Sequence, residues 1–253
     1  MLFSIESACL CNTGKIRKNN EDNFYFDGRC LEADNKGLKH PVMMRKVLRR
    51  EQFVAVFDGM GGENYGELAA FAAASCMQTT ALKLNSFFVP EKKFLNDMCE
   101  CLNEAVVEKA KELCTDRMGT TMVALCFSLD YVYVCNVGDS RAYRLRDGEF
   151  LQVSKDHVEK REGKNEKKAP LTQHLGIDPE EFLIEPYIAK GELKRGDQYL
   201  LCSDGLTDML TNLEISEIMR STASAEACVQ TLVDSALEKG GRDNVTAIVC
   251  RVC

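Results

Sequence analysis

Tryptophan is absent from this chain of 253 residues, and proline and histidine are scarce, at five and three. Without a Pro-rich linker or an internal repeat to mark a boundary, one domain spanning residues 1–253 is the simplest expectation. Long apolar runs are also missing. The longest, such as Phe53 to Phe57 and Val123 to Phe127, are strand-sized and far short of the roughly 20 residues a membrane-crossing helix needs. Met1 to Leu10 carries Glu6 and has neither a basic leader nor a sustained apolar region, so it reads as folded from the start rather than as a secretory signal. No Cys-x-x-Cys pair occurs. The nearest approaches are Cys9-x-Cys11 and Cys99-x-Cys101, which disfavours a zinc ribbon or a thioredoxin-type site. Positive charge is in deficit: 32 Lys and Arg stand against 39 Asp and Glu, a net charge of −7, so a nucleic-acid binder is not expected.

What is present suits a folded protein with a large core. Hydrophobic residues make up 45% of the chain and charged residues 28%. Thirteen cysteines are many, but Cys126, Cys135, Cys202 and Cys250 sit inside apolar strand-like runs, where Cys behaves as a small hydrophobe. Such usage predicts free thiols and a cytoplasmic location. Strand signals cover Phe53–Phe57, Thr120–Ser128, Tyr131–Val137, Ser140–Arg146, Glu149–Val153, Tyr199–Cys202 and Val245–Val249, with Asp147-Gly148 as a hairpin turn. Helical spacing puts Leu68, Ala72, Cys76 and Thr79 on one face of a helix over Tyr65–Lys83, and further helices are read over Glu91–Leu113, Asn212–Arg220 and Ala225–Glu238. Strands mostly follow strands, which predicts a layered α+β fold rather than a doubly wound sheet. Two basic clusters, one at Arg45, Lys46, Arg49 and Arg50 and one over Lys160–Lys168, read as solvated loop faces.

Two apolar strands end alike, in Phe57-Asp58-Gly59 and in Ser203-Asp204-Gly205. Asp139 follows a third strand, and Asp243 opens a fourth after Gly240-Gly241-Arg242. Carboxylates at strand ends can converge on one sheet edge, where they repel unless a hard divalent cation such as Mg²⁺ or Mn²⁺ neutralises them. Asp-Gly is also a turn signal, so for Asp58 or Asp204 taken alone a turn and a ligand are equally good readings. A dinucleotide-binding loop is excluded at Gly59-Met60-Gly61, because G-x-G-x-x-G needs glycine where Asn64 stands.

Seven segments, taken in order, resemble the metal-dependent serine/threonine protein phosphatases of the protein phosphatase 2C type in their compact bacterial form. They are Thr13-Gly14 with Arg17 and Asn20-Glu21-Asp22-Asn23; Phe57-Asp58-Gly59-Met60-Gly61-Gly62 with Gly66-Glu67; Met118-Gly119-Thr120-Thr121; Val137-Gly138-Asp139-Ser140-Arg141; Lys155-Asp156-His157; Leu201-Cys202-Ser203-Asp204-Gly205-Leu206; and Gly240-Gly241 with Asp243-Asn244-Val245-Thr246. The resemblance implies a four-layer α-β-β-α sandwich of two antiparallel sheets flanked by helices. It implies hydrolysis of phosphoserine and phosphothreonine in proteins by a water or hydroxide bridging two metal ions, Mn²⁺ or Mg²⁺, with a weaker third. Asp58 would bridge both metals, the Gly59 carbonyl would complete the first site, Asp204 and Asp243 would hold the second, and Asp139 would join Asp204 at the third. Glu21 and Asp22 would order water around them. Arg17 would grip the substrate phosphate, a role its planar fork suits.

The partners so implied are phosphorylated proteins, the products of a serine/threonine kinase, met by a monomer with no membrane span. His157 in its Lys-Asp-His turn reads as structural. The chain departs from the family in having no histidine at Met60 or Glu63, which leaves metal-bound water as the default proton donor to the leaving oxygen. The region Val158–Pro170 is a short, charged counterpart of the family's flap, and Arg29–Arg50 reads as an extended hairpin or insertion. The alternative is a pseudophosphatase, a regulatory binding module on the same fold, against which the intact set Asp58, Asp204 and Asp243 argues.

Overall fold

The computed structural model describes residues 2–60, 65–83, 92–159 and 169–253. Gly61 and Gly62 of the Asp-Gly motif, Glu63 and Asn64, and the basic run over 160–168 lie outside them. One sheet is built from β1 (Ser4–Asn12), β3 (Val42–Val47), β8 (Arg141–Arg146), β9 (Glu149–Gln152), β11 (Gln198–Cys202) and β12 (Val245–Val252), in the order β3-β1-β12-β11-β8-β9. The other holds β2 (Asp22–Phe26), β4 (Gln52–Met60), β6 (Met122–Phe127), β7 (Tyr131–Val137) and β10 (Tyr187–Glu192), in the order β10-β7-β6-β4-β2, with the short β5 (Gly119–Thr120) paired to β4. Every strand pair is antiparallel. Helices α1 (Gly66–Lys83) and α2 (Lys92–Glu112) cover the second sheet, and α3 (Asp204–Thr207), α4 (Asn212–Ser221) and α5 (Ala225–Glu238) cover the first.

The apolar runs are continuous because both faces of each central strand are buried. In β4, Phe53, Ala55 and Phe57 face the helices while Val54 and Val56 face the other sheet. In β6, Met122, Ala124 and Cys126 face the helices while Val123, Leu125 and Phe127 lie between the sheets. On the other side, Ile248 and Cys250 of β12 point into the inter-sheet layer, and Val245, Ala247 and Val249 point at α5. Three apolar layers thus separate four structural layers, and each fully buried Val, Leu, Ile or Phe contributes about 1.5–3 kcal/mol. Asp147-Gly148 makes the β8–β9 hairpin turn, with positive φ at both residues (50° and 82°), as a two-residue turn of this kind requires.

Two local readings change. In α1 the most buried positions are Ala69, Ala70, Ala73, Ala74 and Met77, whereas Leu68, Ala72 and Cys76 are partly buried and Thr79 is exposed. Alanines let the helix sit close on the sheet, which turns the larger side chains to the flank, where Cys76 Sγ reaches the Cys101 carbonyl of α2 at 3.6 Å. Arg45 and Lys46 are on a strand rather than a loop. β3 is the sheet edge beside β1, and its exposed Arg45 and half-buried Lys46, the latter paired with Asp27, blunt that edge against further pairing.

Candidate active site

The inter-sheet layer ends in acids. In β4 the residues facing the other sheet alternate as Val54, Val56 and then Asp58, and in β2 they run Phe26, Phe24 and then Asp22. Asp22 and Asp58 stand directly opposite each other in the β2–β4 ladder. The period that buries valine therefore delivers a carboxylate once the strands run out of core. Asp22 is buried, and its Oδ2 accepts hydrogen bonds from Ser203 and Thr246 of the opposite sheet, both at 2.7 Å. Burial pushes its carboxyl up to about 7, the two hydroxyls oppose that rise, and Asp243 and Glu21 add to it.

Backbone crowding fixes the other parts. A Cβ on Gly59 would lie 2.0 Å from the Gly66 carbonyl oxygen and 2.6 Å from that of Glu21, so only glycine brings β4 this close to the start of α1. The Asp58 N–H donates to Thr121 Oγ1 at 3.1 Å, and the Asp58 carbonyl accepts from Thr121 N at 2.9 Å and Thr120 Oγ1 at 3.0 Å. Asp204 is the first residue of α3, and Gly205 packs so tightly on the Asn244 backbone that a Cβ would meet the Asn244 oxygen at 1.9 Å and the Asp243 Cβ at 3.4 Å. The ends of β11 and β12 therefore bring Asp204 and Asp243 together. Asp139, buried, follows Gly138, whose φ is 103° and which packs on Thr121.

Motifs far apart in the chain are tied to one another here. Asn244 donates to the carbonyls of Thr13 (2.7 Å) and Asn19 (2.9 Å) and accepts from Glu21 N (2.7 Å), which holds the 13–21 loop over the site. His157 Nδ1 accepts from Gly138 N at 3.1 Å, and Arg141 grips the Asp156 carboxylate in a fork, with contacts of 2.6–3.1 Å. Burial, and after it Lys155, lowers the His157 pKa, so the ring is neutral with its lone pair spent on the Gly138 turn. Asn244, Ser203, Thr246, Thr121 and Glu67 were not singled out from the sequence, although all five sit inside the motif segments.

Arg17 lies on the 13–21 loop, where its Nη2 donates to Asp243 Oδ2 at 2.7 Å. The hydrogen bond to Asp243 raises its pKa, with Glu21 and Asp58 adding to the rise. Glu21 is pushed up by burial and then by Glu67, against Arg17. Glu67 Oε2 is buried with no hydrogen-bond partner among the described residues. Among those residues, no three His, Cys, Asp or Glu side chains close on a point as a metal shell would. Asp243 is held by Arg17 instead. The chemistry of the donors nonetheless fits a hard divalent cation: the ligands on offer are all oxygen, the carboxylates outnumber the one arginine among them, and an acid oxygen is left unsatisfied.

Comparison with known proteins agrees with this geometry. The family model for protein phosphatase 2C matches residues 44–239. The serine/threonine phosphatase Stp of Listeria innocua is 28% identical over 93% of this chain and 91% of its own. The serine/threonine protein phosphatase PstP of Mycobacterium tuberculosis is 31% identical over 97% of this chain, which spans 44% of that protein. The crystal structure of the catalytic domain of PstP in complex with two manganese ions superposes with a TM-score of 0.80, at 28% identity and covering 99% of each chain. With three quarters of its length inside the family model and its sandwich matched end to end, the chain belongs to the protein phosphatase 2C family.

Proposed function

We propose that this chain hydrolyses phosphoserine and phosphothreonine monoesters in proteins with the help of two divalent cations, Mn²⁺ or Mg²⁺. Asp58 and the Gly59 carbonyl would hold the first ion, Asp58, Asp204 and Asp243 the second, and Asp139 with Asp204 a weaker third. When bound, these ions supply Lewis-acid chemistry: they neutralise the phosphate charge and lower the pKa of water at the site. Arg17, released from Asp243, turns its guanidinium to two oxygens of the substrate phosphate. Glu21 and Asp22 orient water, and Ser203 and Thr246 fix Asp22 for that task. His157 positions Asp139 by holding the Gly138 turn. The thirteen cysteines are all free thiols, eight of them buried, which supports a reducing compartment such as the cytoplasm; among the described residues no helix is long and apolar enough to cross a membrane. We place the protein there as a monomer acting on the products of a serine/threonine kinase.

What supports this reading is that Asp22 faces Asp58 across the β2–β4 ladder, that Asp243 acts on Asp22, and that Gly205 packs on Asn244, which sets Asp204 at the start of α3 near Asp243. Turnover of p-nitrophenyl phosphate and of a phosphothreonine peptide, each assayed with and without Mn²⁺, tests it. Mn²⁺-dependent hydrolysis of both is expected. No turnover under either condition, with Mn²⁺ binding verified by calorimetry, would leave a regulatory binding module as the better description.

A further inference from the structure

Two cavities lie side by side along α2. The first, about 640 Å³, is bounded by Lys92, Asn96 and Glu100 of the helix and by Lys155, His157 and Tyr187 opposite. The second, about 380 Å³, lies between Glu100, Asn103 and Glu104 and the loop carrying Phe182, Leu183 and Glu185. Glu100, Ile184 and Glu185 line both, so the two form one trough. From Lys92 to Glu104 the helix advances twelve residues, about 18 Å at 1.5 Å per residue, which matches five or six residues of extended chain.

The walls are fixed. Asn103 Oδ1 accepts from Gly176 N (2.7 Å) and Ile177 N (3.0 Å), and its Nδ2 donates to the Ile177 carbonyl (2.8 Å), which pins the opposing loop to α2. Gln173 Oε1 accepts from Glu185 N at 3.2 Å and fixes the return limb. Such a wall presents a preformed surface, which lowers the ordering cost of a bound chain.

The charge along the trough is divided. Lys92 and Lys155 stand at the end near His157, whose ring holds the Gly138 turn next to Asp139. The far half is lined by Glu100, Glu104 and Glu185, with no Lys or Arg among the described residues that line it, and beside them Phe182 is 50% exposed and Leu183 72% exposed. Glu100 and Glu104 are one helical turn apart, so their carboxylates share a face.

We infer that this trough receives the substrate polypeptide beyond its phosphorylated residue, and that it selects an extended segment whose far end is basic and apolar. Arginine or lysine there meets three glutamates, and a bulky apolar side chain covers Phe182 and Leu183. This rests on the phosphatase reading and goes beyond it by naming the class of substrate.

The test is a panel of phosphothreonine peptides bearing an Arg-Arg-Leu cassette at increasing separation on either side of the phosphate, each matched to a Glu-Glu-Ser counterpart. In Mn²⁺, the basic cassette at one side and separation should lower KM about tenfold, and the double variant Glu100→Lys/Glu104→Lys should abolish that preference. Leu183→Ser should weaken the preference without reversing its sign. All variants should turn over p-nitrophenyl phosphate like the parent, which shows that they are folded and that the metal end is intact. Cassettes that leave KM unchanged in the parent, or a preference that survives the charge reversal, overturn the trough. If the parent fails on p-nitrophenyl phosphate itself, the phosphatase reading is what falls. Anisotropy binding of the unreacted peptides then decides the trough separately: selective binding of the basic cassette sustains it, and equal binding of both removes it.

Discussion

Strand β11 carries a carboxylate just beyond each end, and the two are treated in opposite ways. Asp197, before the strand, is buried and accepts from Arg146 Nε and Nη2 (2.6 Å each), from the Lys194 backbone N–H (2.9 Å) and from the Tyr199 hydroxyl (3.2 Å). Both of its oxygens are satisfied by groups that cannot leave. At the other end, Asp204 starts α3 near Asp22, Asp58, Glu21 and Asp243; burial raises the pKa of Asp22 and of Glu21 there, Asp243 adds to both, and the Arg17 that binds Asp243 has a side chain that is 51% exposed. A closed ion pair makes the first end rigid. The second gathers carboxylates beside Glu67 Oε2, which has no hydrogen-bond partner among the described residues, an arrangement that gives a cation something to bind.

Exchanging charge for amide separates the two ends most sharply at Asp58. Asp58→Asn should lower kcat/KM about 10⁴-fold, about 5.5 kcal/mol of transition-state stabilisation, while leaving the metal-free protein as stable as the parent or more so, because one repelling charge is gone. The melting shift given by Mn²⁺ at a hundredfold excess over Kd, about 2.7 kcal/mol in the parent, should largely disappear. A variant that keeps both shift and turnover would make Asp58 a turn residue.

Asp197→Ala should do the reverse. Stranding Arg146, whose side chain is only 15% exposed, should destabilise the fold by about 3 kcal/mol in urea denaturation, with kcat of the folded enzyme unchanged. A stable variant with impaired catalysis would erase the distinction between the two ends.

A smaller effect is expected at Arg17. Its pair with Asp243 is exposed, so Arg17→Ala should tighten Mn²⁺ binding by only severalfold, about 1 kcal/mol or less, and weaken inorganic phosphate binding to the Mn²⁺-loaded protein. Calorimetry reads both. Weaker Mn²⁺ binding would show that Arg17 supports the metal end rather than standing in for a cation.

The smallest effect is distant from both ends. Glu214 closes the capping box of α4 with Thr211 and pairs with Lys239; the pair and the cap hold its carboxyl down at about 2, against an ordinary 4.5. A carboxyl lowered on folding stabilises above its unfolded pKa, and the contribution fades as pH falls through the folded one. The stability gap between the parent and Glu214→Gln should therefore be constant from neutral pH to about 5 and close between about 4.5 and 2. A gap that widens on acidification would reverse the sign of this linkage.

The elements legible from sequence were those whose pattern is complete within themselves. α4 and α5 are found within a residue of their expected bounds, because Thr211 and Ser224 cap them and their buried residues recur at helical spacing. The apolar runs of β4, β6, β7 and β12 were equally plain. Sequence signals miss β1, β2, β3 and β10. β1 reads Ser-Ile-Glu-Ser-Ala-Cys-Leu-Cys-Asn and β10 Tyr-Ile-Ala-Lys-Gly-Glu, and each is too small, too polar or too short to stand out until a neighbour supplies its hydrogen bonds.

The sequence by itself determined the strand ends at which acids stand, the glycines that make room around them and, through seven ordered motifs, the family. Those signals are local, since a dipeptide such as Asp58-Gly59 carries its own backbone requirement. Only the tertiary structure decided that Asp22 meets Asp58 across a ladder while Ser203 and Thr246 bind it from the other sheet, that Asn244 clamps the loop of Arg17, and that α2 and the 172–187 loop leave a charged trough between them. Those contacts join residues up to 231 positions apart. No local pattern encodes them, because each exists only after burial of the inter-sheet layer has set the register of both sheets.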